Sequence, residues 1–273
     1  EDEAIAGLLQ DLRVDAIDVC PSKYFTNPIS ATSADIVAVR SWWNQRGIQI
    51  YGLQSLLFGL QDVNVFGTPA QQEIILARLE GVCNVAQWLG AERLTFGSPK
   101  QRDRTNLDEP DVKSIAKTFF RRCGDIVESH KLVLCLEPNP RDYGSNFMTN
   151  SVETATVVRY VDHPAVRMQC DTGAMAMNSE DPATTVPTLT SLIAHVHISE
   201  PHLAPLGLGG TDHGQMGLIL NTCVPHMVAT IEMMPPQQSP LVEAIRHAIC
   251  LAQRSYADLY HRGSACNRSP LSS

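Results

Sequence analysis

Four polar residues close apolar runs in this chain. Glu137 follows "LVLCL", Asp171 follows "VRMQC", His197 sits in "AHVHIS" and Glu232 ends "VATIE". An ionised group at the end of a buried strand costs free energy unless something compensates it. One such residue has an ordinary explanation, as a helix N-cap or a turn. Four of them at successive strand ends invite another. Three carboxylates brought to one place repel, and at least one then takes a proton. A divalent cation removes that repulsion, and mixed oxygen and nitrogen ligands suit Mn, Mg, Co or Zn without choosing among them.

The elements that must carry these residues alternate along the chain. Short apolar runs at 16–20, 48–53, 93–96, 132–136, 167–170, 194–198 and 228–232 have the length of buried strands. Helical periodicity separates them. Residues 72–89 place Ile75, Leu79, Val82, Ala86 and Leu89 on one face, with Gly90 as a stop. Residues 111–130, 151–160 and 239–260 repeat the pattern. Strand then helix, repeated, means parallel strands with helical crossovers. Seven strands are visible, and a closed (β/α)8 TIM barrel has eight. The opening "EDEAIAGLLQ" reads as a helix, so the expectation is a barrel whose first strand lies before residue 1. The competing fold, an open doubly wound sheet, usually carries a glycine fingerprint after its first strand, and none follows Cys20. No linker divides the chain, which predicts one domain over 1–262 and a polar tail over 263–273.

In such a barrel, chemistry gathers at the carboxyl ends of the strands, where all four residues lie. Alternation puts Val133, Cys135 and Glu137 on one strand face, and His195 on the same face as His197 but one layer deeper. His195 on its own reads as a core histidine. Further polar groups fall in the loops after strands. "GSPKQRDR" concentrates Lys100, Arg102 and Arg104, a local basic cluster suited to phosphate or carboxylate. Lys23 and Tyr24 follow the first strand, and Tyr24 has a ring that could stack on a sugar. Glu200, His202, Asp212 and His213 flank "GLGG" at 207–210, whose backbone could face an anion. Each of these also reads as an ordinary loop residue.

Composition narrows the partners. The 273 residues carry a formal charge of −8, which opposes binding to nucleic acid. None of the eight cysteines forms a CxxC pair, and several sit in apolar runs. That pattern predicts reduced thiols and a cytoplasmic protein. No apolar stretch is long enough for a membrane span and the start does not read as a signal peptide, so no membrane partner is expected.

"CLEPNP", "QCDTGAMAMN", "HVHISEP" and "TIEM", with "GLQSLLFG" and "LTFGSPKQRDR" before them, resemble the xylose-isomerase-like sugar phosphate isomerases and epimerases. The resemblance runs from Asp15 to about Tyr260 and is nearest to members associated with bacterial surface-polysaccharide clusters. It implies a TIM barrel in which Glu137, Asp171, His197 and Glu232 hold one divalent metal ion. It also implies that Glu137 and Glu232 form the proton-transfer pair. The substrate would be a sugar, a sugar phosphate or a related polyhydroxy compound that reacts through an enediolate. Lys100, Arg102, Glu200, His202, His213 and Tyr24 are the candidate substrate contacts, and a homo-oligomer is compatible with such a relative. Two features differ from ketose 3-epimerases. Ala174 stands where they carry a His, and "SEPHLAPLGLGGTDHG" contains no Arg. A dehydratase built on the same enolate, a catalytically silent sugar binder and an endonuclease-IV-like phosphodiesterase remain open. The last would require more ligands, for three zinc ions.

Overall fold

The computed structural model describes residues 1–236 and 240–256; the polar tail at 263–273 lies outside them, as does the end of the last helix expected at 239–260. Seven parallel strands form one sheet in the order of the chain. They are β1 (Ala16–Val19), β2 (Gln49–Leu53), β3 (Arg93–Phe96), β4 (Val133–Leu136), β5 (Val166–Asp171), β6 (Ile193–Ile198) and β7 (Ala229–Ile231). All seven expected strands are present, with ends that differ by a residue or so. Helices α1 (Asp2–Asp11), α2 (Ser33–Asn44), α3 (Pro69–Leu89), α4 (Glu109–Ser129) and α5 (Ser151–Val161) come first. They are followed by α6 (Thr172–Met177), α7 (Pro182–Leu189), α8 (His213–Cys223) and α9 (Leu241–Ser255). Parallel strands need such crossovers, and the helices cover the outside of a nearly closed barrel.

Local chemistry explains the helix ends. Thr68 and Gln71 form a reciprocal capping box at the start of α3, and Gly90 ends it at φ 81°. Asp108 and Asn150 accept backbone N–H bonds at the starts of α4 and α5. The apolar face of α3 buries Ile75, Leu79, Val82 and Ala86 completely. A buried Ile or Leu contributes roughly 1.5–3 kcal/mol, so this face anchors its side of the barrel.

The two end strands, β1 and β7, have no ladder between them among the described residues. Where an eighth strand would stand, α1 and α9 enclose an apolar cavity of about 360 Å³ lined by Ile17, Ile231, Ile245 and Ile249. One polar tie crosses the gap, from Thr230 Oγ1 of β7 to Asp18 Oδ2 of β1, at 2.9 Å. The seven described cysteines are free thiols. No described helix is long and apolar enough to cross a membrane.

Candidate metal centre

The register of β5, β6 and β7 fixes a common level. Asp171 pairs with His197, and His197 pairs with Thr230. Glu137 and Glu232 lie one residue past β4 and β7, yet each still donates its backbone N–H to the neighbouring strand. Glu137 bonds to Phe96 O at 3.1 Å and Glu232 to Ile198 O at 3.0 Å. The sheet edge therefore places all four side chains at the same mouth. Glu137, Asp171, His197 and Glu232 each offer a ligand atom, and these atoms lie within 4.8 Å of one another. The imidazole is central: Nδ1 is 3.1 Å from Glu232 Oε2 and 3.3 Å from Glu137 Oε1.

Two of the three carboxylates, Glu137 and Asp171, are held from behind. Glu137 Oε2 accepts from Asn139 Nδ2 at 2.9 Å, while Arg102 donates to Glu137 O at 2.9 Å and to Asn139 Oδ1 at 2.6 Å. That leaves Glu137 Oε1 buried with no hydrogen-bond partner. Gly97 makes room for this carboxylate, because a Cβ there would overlap it. Asp171 is the N-cap of α6, and its Oδ1 accepts from Ala174 N at 2.6 Å and from Ser199 Oγ at 2.8 Å. The capping and ligand readings of Asp171 thus coexist in one residue.

The electrostatics are those of crowded acids around one base. Burial, with the charges of Glu137 and Glu232, pushes the Asp171 carboxyl up to about 7. Burial would pull the His197 imidazolium down, but Glu232, Asp18 and Glu137 outweigh it and hold its pKa well above the ordinary value. Glu137 is lowered despite its burial, by His197, Asn139 and Arg102. A proton on Asp171 and another on His197 offset charge that a divalent cation would offset better. A buried carboxylate oxygen without a hydrogen bond, two more carboxylates and an imidazole nitrogen fit such an ion.

The other expected contacts fall in four places. Arg102 is fully buried behind Glu137 and Asn139, away from any open space. Glu200 and His213 lock the loop after β6: Glu200 accepts from Gly207 N, Thr211 N and His213 Nε2, and His213 Nδ1 meets Tyr256. Tyr24 donates to Asp2 and accepts from Trp43 on the side of the β1–β7 gap. Lys100 and His202 are exposed. His202 and Leu203 both adopt positive φ (57° and 53°), a strained pair of the kind that collects at functional sites.

A mouth cavity of about 240 Å³ opens over Glu137, Asp171 and Glu232. Its remaining wall includes Gln54, Ser55, Ser98, Asn139, Tyr143 and Leu203. Tyr143 packs edge-on against His202, with ring centroids 6.2 Å apart. Burial and nearby Asp171 raise its phenol to about 12, so it stays a hydroxyl donor. Sequence reading passed over Tyr143 and Asp18. Tyr143 sits in a loop with no periodicity to mark it. Asp18 did leave a signal, a charged residue inside the apolar run at 16–20.

The sequence profile of the xylose isomerase-like TIM barrel matches residues 8–248. A comparison with curated proteins gave no match. Among solved structures, a D-psicose 3-epimerase crystallised in the presence of D-fructose is similar at a TM-score of 0.78 and 16% identity, covering 94% of both chains. An L-ribulose 3-epimerase superposes at 0.74 and 15% identity, over 94% of this chain and 90% of the other. The IOLI protein, solved with a binding zinc atom, superposes at 0.72 and 14% identity, over 96% and 94%. At such identities these likenesses concern the fold.

Proposed function

The chain belongs to the xylose isomerase-like TIM-barrel family, and from that premise we propose that it is a divalent-metal-dependent isomerase or epimerase of a sugar or related polyhydroxy compound. The observation that carries the reading is the convergence of three carboxylates and one imidazole within 4.8 Å at the barrel mouth, with Glu137 Oε1 buried, without a hydrogen bond and facing His197 Nδ1 at 3.3 Å. Solved relatives named as sugar epimerases, and one with bound zinc, support it.

Glu137, Asp171, His197 and Glu232 would hold the ion. When bound, such an ion would supply Lewis-acid polarisation of a carbonyl and the neighbouring hydroxyl of an open-chain sugar, which would acidify the C–H bond between them. The chain's own residues do the rest. Glu137 and Glu232 flank His197 from different strand ends. One of them takes the carbon-bound proton, and the other returns it to the opposite face for epimerisation; return at the adjacent carbon gives isomerisation. Asn139 and Arg102 keep Glu137 aimed, so its orientation is paid for in folding rather than at each turnover. Gln54, Ser55, Ser98 and Tyr143 supply hydrogen-bonding groups for sugar hydroxyls.

The test is exchange. Free ketoses and their phosphates would be incubated with Mn-loaded protein in heavy water, and deuterium at carbon followed by NMR. Wild-type protein should exchange a candidate, and Glu232→Gln should stop that exchange. No exchange with any candidate, or undiminished exchange in Glu232→Gln, removes the proton pair from the reading. One metal ion per chain fits the proposal, whereas three would favour the phosphodiesterase.

A further inference from the structure

Below the four mouth residues lies a second buried group that the proton chemistry does not use. Asp18 of β1 reaches across to β6 and β7. Its Oδ2 accepts from His195 Nε2 at 2.6 Å, from Thr230 Oγ1 at 2.9 Å and from His197 Nε2 at 3.3 Å. The side chain is 5% exposed, and both histidines are 1% exposed or less, so water does not compete for these bonds. The backbone is shaped for it: Gly52 of β2 lies against the carboxylate, and a Cβ there would come within 2.7 Å of Asp18 Cγ and 2.9 Å of Oδ2. Asp18 Oδ1, boxed against Gly52, has no hydrogen-bond partner. The carboxylate therefore spends its bonding on one oxygen, the one that faces the imidazoles.

His197 is the shared member of both clusters. Its Nε2 points at Asp18 and its Nδ1 points at Glu137 and Glu232. An imidazole ligates a cation through a nitrogen that has lost its proton, and the partner of the other N–H decides which nitrogen that is. We infer that Asp18 is a positioning residue for the metal centre: it retains the His197 proton on Nε2 and presents Nδ1 to the space between the carboxylates. This rests on the cation-site reading and adds to it a residue of β1, five strands from His197's β6 in the sheet order.

Asp18 also ties β1 to β7 through Thr230, so a strap is the rival role. The experiment separates the two with zinc alone and no sugar. Zinc affinity would be measured by chelator competition on wild type, Asp18→Asn and Thr230→Val. The proton on His197 would be followed in the zinc-loaded proteins by two-bond ¹H–¹⁵N spectra. Asparagine keeps the shape but not the charge, so the fold should survive it. Asp18→Asn should weaken zinc binding by about 10–100-fold, the range found when such outer partners are removed. Its His197 Nε2–H should exchange faster with solvent than in wild type. Thr230→Val cuts the β1–β7 tie but spares the bond to His197, and should bind zinc within about threefold of wild type. Wild-type affinity in Asp18→Asn overturns the inference, as does an equal loss in Thr230→Val. Two zinc ions per wild-type chain with one lost in Asp18→Asn would make Asp18 a ligand and overturn it too. If wild type binds no zinc, the cation-site reading fails and takes this inference with it.

Discussion

Gly97 gives the sharpest mutational test of the metal centre. It follows β3, and its missing side chain is the space that Glu137 occupies. A Cβ added there would overlap Glu137 Oε2, far inside the 3.0 Å that real Cβ contacts essentially never cross, and would reach 3.3 Å from Asn139 Oδ1. Ordinary contact begins at 3.4 Å, so the carboxylate of Glu137 in Gly97→Ala must retreat by about 1 Å. The atom struck is the far end of a flexible side chain, not backbone, so the fold can yield cheaply. The cost falls on function instead. A misplacement of about 1 Å at a reacting group can reduce rate by about 100-fold, and Glu137 is proposed both as ligand and as proton carrier. The assay is deuterium exchange into a turned-over sugar, with zinc affinity measured beside it. Exchange should drop by about two orders of magnitude and affinity by a measurable factor, while the urea midpoint stays near wild type. Wild-type exchange and affinity in Gly97→Ala would refute the placement of Glu137 in the reaction.

Gly217→Ala is the contrasting case: its Cβ would overlap the backbone carbonyl of Ser255 and sit 2.7 Å from that carbonyl carbon, so it should lower the urea midpoint with no specific effect on zinc affinity per folded molecule. Arg102→Ala leaves Glu137 O and Asn139 Oδ1 without their buried donor, and a loss of about 3 kcal/mol in urea unfolding is expected; an unchanged midpoint with a raised KM would make Arg102 a substrate contact after all. In chelated protein, Asp171 (raised to about 7) and His197 (raised) bind protons more tightly folded than unfolded. The stability they carry is complete below their unfolded values and is lost as pH rises, for Asp171 through about 7. The metal-free melting temperature should therefore fall from pH 6 to pH 8, and saturating zinc should flatten that fall; a rise over the same window in calorimetry contradicts it. Tyr143→Phe should raise the KM of a turned-over sugar by about 3–10-fold, the worth of one neutral hydrogen bond, with zinc affinity unchanged; equal kinetics would remove its hydroxyl from substrate recognition.

Much of the barrel was legible in the chain because its signals are local. Parallel strands buried on both faces read as largely apolar runs, and all seven were visible at 16–20 through 228–232. The long helices α3 and α4 announced themselves by period, caps and the stop at Gly90. The short α6 and α7 did not, since six and eight residues carry too little periodicity, and α8 (11 residues) was not read as a helix either. The four mouth residues were legible through an irregularity, charge at the end of an apolar run. Arg102, Glu200 and His213 looked like mouth groups because they follow strands, yet sequence position after a strand does not say which way a side chain turns. Arg102 turned inward to hold Glu137, and the other two turned into their own loop.

The amino-acid order alone determined the alternation of strand and helix, and with it a family of parallel barrels and a set of acids and an imidazole at its mouth. Those are consequences of burial and backbone hydrogen bonding, which act over a few residues. The tertiary structure decided what those groups meet: Asp18 of β1 against His197 of β6, 179 positions apart, and Gly97 against Glu137. Such contacts depend on strand register and barrel curvature summed around the whole sheet, quantities that no local stretch of sequence contains.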